Sequence, residues 1–70
     1  MTDKTSKYIA DKLKEHRLKR GLSQASLAKK ASMNSNYYAK IERGEIKPSV
    51  STLEKIIKAL DAKSADIFPF

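Results

Sequence analysis

Apolar residues recur three and four positions apart along this chain, and charged residues fill most positions between them. Between residues 6 and 20, Ile9 and Leu13 stand four apart, and Gly21 follows where helices commonly end in a left-handed residue. Only two Gly and two Pro occur among the 70 residues. The pattern therefore predicts an all-α chain with short connections, whose first helix covers residues 6–20.

Two short helices are predicted next. Ser23 is a good N-cap for the first of them, because its hydroxyl can accept a hydrogen bond from an unpaired backbone N–H of the following turn. The apolar face of this second helix consists of Leu27, Ala28 and Ala31. A break falls at residues 32–33. Either Asn34 or Ser35 can then cap a third helix that ends near Gly44.

The segment after Pro48 carries the clearest apolar stripe. This stripe consists of Val50, Leu53, Ile57 and Leu60. The fourth helix can begin after Ser49 or, through a capping box with Glu54, after Ser51. A last turn over residues 65–68, capped by Ser64, is predicted to close the core.

Charge is distributed unevenly. The formal net charge is +7; residues 1–43 hold eleven basic and four acidic side chains, whereas residues 44–70 hold four of each. An excess of this kind suits a polyanionic partner, although it also occurs in proteins that are merely soluble. The N-terminal residues lack an apolar leader and the chain has no cysteine, so we expect a cytoplasmic protein with no membrane partner.

Residues suited to catalysis or metal binding are scarce. His16 is the only histidine and has no cysteine to complete a metal site. No glycine-rich phosphate loop or catalytic triad pattern occurs, and a small helical core leaves little room for a substrate pocket. We therefore expect no enzyme activity, no metal, no cofactor and no small-molecule ligand.

The predicted third helix has two different faces. At about 100° per residue, one side carries Tyr38, Ile41 and Glu42, and the opposite side carries Asn36, Lys40 and Arg43. An exposed amide can pair with adenine, exposed cations can contact guanine or phosphate, and the major groove admits one helix. From these residues alone, a solvated surface remains the alternative interpretation.

The pattern LSQxxLAxKAxxxxxYxxxIERGxxxPSxxTLxKIxKAL resembles the helix-turn-helix domain of lambdoid phage repressors and of the Xre-like bacterial regulators. The resemblance covers about residues 9–68. It implies a compact, five-helix, lambda-repressor-like fold in one domain over residues 1–70, with the helix-turn-helix at helices two and three. Residues 1–5 are expected to be flexible.

The resemblance also assigns site residues. The implied DNA base contacts are Ser35, Asn36 and Lys40, with Asn34 and Tyr37 flanking them. The implied phosphate contacts are Ser23, Gln24, Arg43 and Lys47. Arg17 and Glu42 match a structural ion pair between the first and third helices, and Gln24 also matches a residue that supports the third helix.

Some positions depart from the family pattern. Ser32 stands where glycine is usual in the turn, so it must adopt a strained conformation or shift the turn. Tyr38 replaces a common Ile and is expected in the core, Ala39 replaces a residue that is often polar, and Ser26 replaces the Glu of a capping box. These differences leave the operator sequence open.

The resemblance implies a sequence-specific, double-stranded-DNA-binding transcriptional regulator, a repressor or controller that binds a palindromic operator as a homodimer. The apolar residues expected at the dimer surface are Ile67, Phe68 and Phe70; alternatively, Phe68 closes the core and Phe70 frays. Three other functions stay open at this point: a helical protein-interaction module, a DNA-binding fragment of a longer regulator, and a non-specific nucleoid protein.

Overall fold

The structure, a computed structural model, describes residues 4–67. Five helices run along the described part of the chain: α1 Lys4–Lys19, α2 Gln24–Lys30, α3 Ser35–Glu42, α4 Val50–Leu60 and α5 Ser64–Ile67. The predicted all-α, five-helix fold is confirmed. None of the helices within residues 4–67 is long and apolar enough to cross a bilayer.

The N-terminal segment is helical from Lys4. This is two residues earlier than the predicted start, and it places the last part of segment 1–5, expected to be flexible, inside α1. Residues 1–3 lie outside the described residues, as do residues 68–70.

Polar side chains start three of the helices. Ser23, Asn34 and Ser49 cap α2, α3 and α4, and each accepts a hydrogen bond from a first-turn N–H, at 3.0, 2.8 and 3.2 Å respectively. Asn34 rather than Ser35 therefore caps α3, and Ser49 rather than Ser51 caps α4.

The first four helices end in the same backbone motif. A residue with positive φ donates its N–H to the carbonyl three residues earlier, and the next residue donates to the carbonyl five residues earlier. The left-handed residues are Gly21, Ser32, Gly44 and Asp61, with φ of 68°, 58°, 77° and 55°. Two of the four carry a Cβ, so the chain holds backbone strain at these turns.

The core is formed by residues from all five helices. Its largest fully buried side chains are Tyr38, Leu13, Leu27, Ile41, Ile56, Leu60 and Ile67. The predicted stripe of α4 was wrong in one member, because Val50 is 69% exposed while Ile56, which the stripe omitted, is fully buried. Val50 lies only about 20° around the helix from buried Ile57, so its exposure follows from its place as the first residue of α4 and not from the direction of its face.

Ile67 is part of this core. Its side chain is fully buried within the chain, so its expected place on a dimer surface was wrong. The last turn of helix folds back against α1 and α4, which uses this residue to close the monomer. Phe68 and Phe70, the other two residues expected there, lie outside the described residues.

Arg20 joins the ends of two helices. Its Nε donates to the carbonyl of Leu60 at 2.7 Å and its Nη2 to the carbonyl of Asp61 at 2.8 Å. The last carbonyls of a helix have no hydrogen-bond partner within the helix. Arg20, which follows α1, supplies donors for the carbonyls at the end of α4. The sequence pattern indicates no role for this arginine.

Changing the left-handed residues tests the cost of their conformation. We expect Ser32→Gly to stabilise the protein by about 0.5–1 kcal/mol, because glycine adopts positive φ without a Cβ clash. Gly21→Ala should destabilise it by about 1 kcal/mol. At Gly21 the cause is backbone strain alone, since an added Cβ would meet nothing within 4 Å.

Urea unfolding followed by circular dichroism measures both changes. Equal or lower stability of Ser32→Gly would contradict the assignment of strain to that turn.

Candidate nucleic-acid interface

The α3 helix separates its residues into a buried and an exposed face. Tyr38, Ile41 and Glu42 are buried, at 0, 2 and 7% exposure. Asn36 and Lys40 are exposed and lie at the middle of the opposite face. The helix therefore presents an amide and a cation outward while its other face is fixed in the core.

The flanking candidates lie at the edges of this exposed face. Ser35 and the 39%-exposed Tyr37 occupy its two sides. Asn34 is also exposed, but its Oδ1 already accepts hydrogen bonds from the N–H groups of Asn36 and Tyr37, at 2.8 and 3.2 Å. With both lone pairs of Oδ1 engaged in the cap, only the Nδ2 donors of Asn34 suit a base contact.

A buried ion pair fixes the orientation of α3. Arg17 on α1 donates from Nε and Nη2 to the two carboxylate oxygens of Glu42, both at 2.8 Å, and the side chains are only 10% and 3% exposed. The third guanidinium nitrogen, Nη1, donates to the carbonyl of Leu22 at 2.8 Å. Arg17 thus joins α1, the α1–α2 connection and α3 through one planar group.

Gln24 connects the start of α2 to the same carboxylate. Its Nε2 donates to Glu42 Oε1 at 3.3 Å. Burial by itself raises the pKa of the Glu42 carboxyl, but the hydrogen bonds that it accepts, mainly from Arg17, outweigh burial and hold that pKa below its ordinary range. Glu42 is therefore an ionised acceptor that joins α1, α2 and α3.

Tyr38 lies beside this pair in the core. Burial raises the pKa of its phenol, and the Glu42 carboxylate raises it further, so the hydroxyl stays protonated. Its Oη makes no hydrogen bond within the described residues. The predicted core position of Tyr38 is confirmed.

The residues expected to contact phosphate lie at two places. Ser23 and Gln24 lie at the start of α2, and Arg43 and Lys47 lie after α3, with three of the four exposed and Gln24 half-buried. The Oγ of Ser23 is 2.9 Å from the Oγ of Ser26. Each place adjoins one end of the helix-turn-helix rather than its middle.

Glu45 is a neighbour of Arg43 that sequence analysis missed. The Arg43 Nε donates to Glu45 Oε2, and Nη2 lies 3.4 Å from Oε1. An opposite charge two residues after Arg43 was visible in the sequence, but side chains two apart on a helix do not face each other. The pair forms only because α3 ends at this point.

The sequence of the chain is similar to known proteins over most of its length. A family model described as helix-turn-helix matches residues 13–68. The chain belongs to the helix-turn-helix family. Members of this family are DNA-binding transcriptional regulators and not enzymes, so the resemblance and the expectation that the chain is not an enzyme are both confirmed.

Two curated relatives of this helix-turn-helix protein illustrate the family. The chain is 42% identical over 52 residues to the immunity repressor protein of Bacillus phage phi105, an alignment that covers 74% of the chain and 36% of the repressor. It is 32% identical over 59 residues to an uncharacterized HTH-type transcriptional regulator of Archaeoglobus fulgidus, covering 84% of each. The chain thus matches about a third of the phage repressor.

Solved structures with the same fold include restriction-modification controller proteins. C.AhdI from Aeromonas hydrophila superposes with a TM-score of 0.86 at 30% identity, covering 90% of this chain and 96% of C.AhdI. The C.Esp1396I tetramer in complex with its natural 35 base-pair operator gives a TM-score of 0.86 at 27% identity, covering 90% and 83% of the two chains.

Removing one partner of the buried pair should be more damaging than removing both. We expect Arg17→Met and Glu42→Leu each to cost about 3–5 kcal/mol, because the remaining charge is buried without its partner. The double variant Arg17→Met/Glu42→Leu should be more stable than either single variant. Urea unfolding of the set at low temperature measures this, and strictly additive losses would contradict a coupled pair.

The lowered pKa of Glu42 predicts a loss of stability in acid. A carboxyl whose pKa is lower in the folded protein stabilises it fully above the unfolded value of about 4.3, and that stability is lost as pH falls through the folded pKa. The wild-type urea midpoint should fall between about pH 5 and pH 2, by more than that of the Arg17→Met/Glu42→Leu variant. Parallel curves would show that Glu42 makes no contribution.

Proposed function

We propose that this protein is a sequence-specific regulator that binds double-stranded DNA with α3 in the major groove, and that it does so as a homodimer on a palindromic operator. The observation that carries the proposal is the division of α3: Glu42 is locked into the core by Arg17 and Gln24, while Asn36 and Lys40 are exposed on the opposite face. A recognition helix, which contacts base edges, needs a fixed orientation and exposed hydrogen-bonding groups, and this arrangement supplies both.

Base discrimination comes from the exposed face of α3. The carboxamide of Asn36 can pair bidentately with adenine, and the ammonium of Lys40 can donate to the acceptors of guanine. Ser35 and Tyr37 contribute from the edges of the face, and Asn34 contributes through its Nδ2 donors. One good bidentate contact discriminates against the wrong base by about 1–3 kcal/mol.

Phosphate contacts set the position of the protein on the duplex. Ser23 and Gln24 reach one strand from the start of α2, and Arg43 and Lys47 reach phosphate after α3. Gln24 can support both roles, since its carboxamide meets Glu42 with Nε2 and has an oxygen and a second N–H besides that bond. Such contacts are independent of sequence and give the affinity its salt dependence.

A dimer follows from the small number of base pairs that one helix reads. Two copies on half-sites about one helical turn apart double the readout. The crystallised C.Esp1396I tetramer bound to its operator is an assembly of this kind of domain on DNA, and its likeness to this chain supports the proposal. Phe68 and Phe70 stay candidates for the surface between the two copies. A repressor or controller role is consistent with the immunity repressor among the relatives.

Selection from random duplex DNA, followed by fluorescence anisotropy, tests this function. We expect an inverted repeat with half-sites about a helical turn apart, and an affinity that falls by about three orders of magnitude between 50 and 200 mM salt if the dimer makes six or more phosphate contacts. Asn36→Ala should relax the preference at one base position of each half-site, and Lys40→Ala at another. Lys14→Ala, which removes an exposed cation from α1, serves as the control and should keep the wild-type preference.

Other outcomes would point to the other functions. Strong salt dependence without a preferred sequence would indicate a non-specific nucleoid protein. Absence of both a motif and a salt effect would contradict DNA binding and indicate a protein-interaction module.

A further inference from the structure

The backbone at the end of α3 fixes the position of Glu45. Gly44 has a φ of 77° and donates its N–H to the carbonyl of Ile41 at 3.0 Å, and the N–H of Glu45 donates to the carbonyl of Lys40 at 2.9 Å. These two bonds form the motif that terminates the helix. Glu45 is therefore held against the last turn of α3 and does not belong to a freely moving loop.

This placement puts a carboxylate among cations that the proposed function requires. Both oxygens of Glu45 face the Arg43 guanidinium, one bonded to Nε and the other 3.4 Å from Nη2. The hydrogen bond from Arg43 is the main reason that the pKa of Glu45 lies below its ordinary range, and the charge of Lys40 acts in the same direction. The group that Glu45 binds is thus the phosphate candidate Arg43, and the charge of Lys40 makes the smallest contribution to the lowered pKa.

The ion pair is also accessible. The side chains of Arg43 and Glu45 are 53% and 50% exposed, so a phosphate group can approach the guanidinium from solvent. An exposed ion pair of this kind contributes little to stability, so the Arg43 guanidinium can exchange Glu45 for another anionic partner. A DNA phosphate offers Arg43 the same bidentate acceptor geometry that the carboxylate offers.

We propose that Glu45 competes with DNA phosphate for the guanidinium of Arg43, and that this competition limits the affinity of the protein for all DNA. The proposal rests on the proposed function. When α3 docks, Arg43 exchanges the carboxylate for a phosphate, and Glu45 is left beside the negatively charged backbone. The competition acts on a phosphate contact, which carries no sequence information, so it weakens operator and unrelated DNA by the same factor.

Glu45 therefore changes the balance between total affinity for DNA and discrimination between base sequences. Base contacts at Asn36 are unaffected by Glu45, whereas the sequence-independent part of the binding energy is reduced. A regulator in a cell meets a very large number of non-specific sites, to which phosphate contacts bind it. Glu45 reduces that retention without altering the preference for the operator.

Charge-neutral substitution tests the competition. The variant is Glu45→Gln, and the matched control is Glu15→Gln, which also removes one charge from an exposed carboxylate with two cationic neighbours, Lys12 at 3.6 Å and Lys19 at 3.5 Å. Anisotropy titrations use the selected operator and a scrambled duplex of the same length, between 50 and 200 mM salt. The same titrations are made with Arg43→Gln and with Arg43→Gln/Glu45→Gln.

We expect Glu45→Gln to tighten binding to both duplexes equally, by about threefold to fivefold per bound protomer, the upper part of the range that an exposed ion pair contributes. The slope of log affinity against log salt should steepen by up to about one per protomer, as for one added phosphate contact. Glu15→Gln should change affinity by less than about twofold. In the Arg43→Gln background, Glu45→Gln should have no larger effect than this control.

Several results would overturn the inference. Equal effects of Glu45→Gln and Glu15→Gln would show that only net charge matters. An undiminished effect in the Arg43→Gln background would show that Arg43 is not the group in competition. Weaker binding by Glu45→Gln would show that the carboxylate positions Arg43 productively. A wild-type protein that binds DNA with the expected salt slope but gives any of these results contradicts the role of Glu45 alone, whereas a wild-type protein that binds neither duplex contradicts both proposals.

Discussion

The buried ion pair between Arg17 and Glu42 constrains how the first three helices of this chain can be arranged. A domain of this size has a small apolar core, and apolar packing alone tolerates rotation and sliding of short helices. The planar guanidinium, its two bonds to one carboxylate and its third bond to the Leu22 carbonyl allow one orientation. Because Gln24 donates to the same carboxylate, the start of α2 and the end of α3 are positioned together. The bonds that Glu42 makes on the buried face of α3 therefore determine which residues of the helix face solvent.

Features set by neighbouring residues could be predicted from the sequence. The cap at Ser23 follows from a short polar side chain beside an apolar periodic segment, and the two faces of α3 follow from helical geometry. For α3 and α4 the sequence offered two candidate caps each, and the structure selects Asn34 and Ser49. The error at Val50 arose because helical periodicity places this residue on nearly the same face as buried Ile57 but does not report the exposure of the first residue of a helix. The error at Ile67 arose because the burial of a terminal residue depends on how the last turn packs back, which periodicity does not report.

Features that depend on distant backbone could not be predicted in this way. Arg20 bonds to main-chain carbonyls forty residues away, and a carbonyl has no signature in the sequence. The ion pair between Arg43 and Glu45 depends on the backbone turn that ends α3. The two charges can be read from the sequence, but the contact between them cannot. Of the candidate interface, the identity and exposure of the residues follow from the pattern. The hydrogen-bond partners of Arg43, Gln24 and Asn34 within the chain can be identified only from the structure.

The contact from Arg20 to the end of α4 also bears on when the fold can form during synthesis. The carbonyls of Leu60 and Asp61 emerge from the ribosome long after α1, α2 and α3, and closing a loop of this length carries an entropic cost that only further contacts offset. Fully buried Ile67 lies further still along the chain. A nascent chain that already contains the whole helix-turn-helix therefore lacks the bonds that join its first helix to its fourth. The fold is completed only after residue 67 has emerged, so a product truncated before α4 carries the recognition sequence without the bonds and burial that complete the domain.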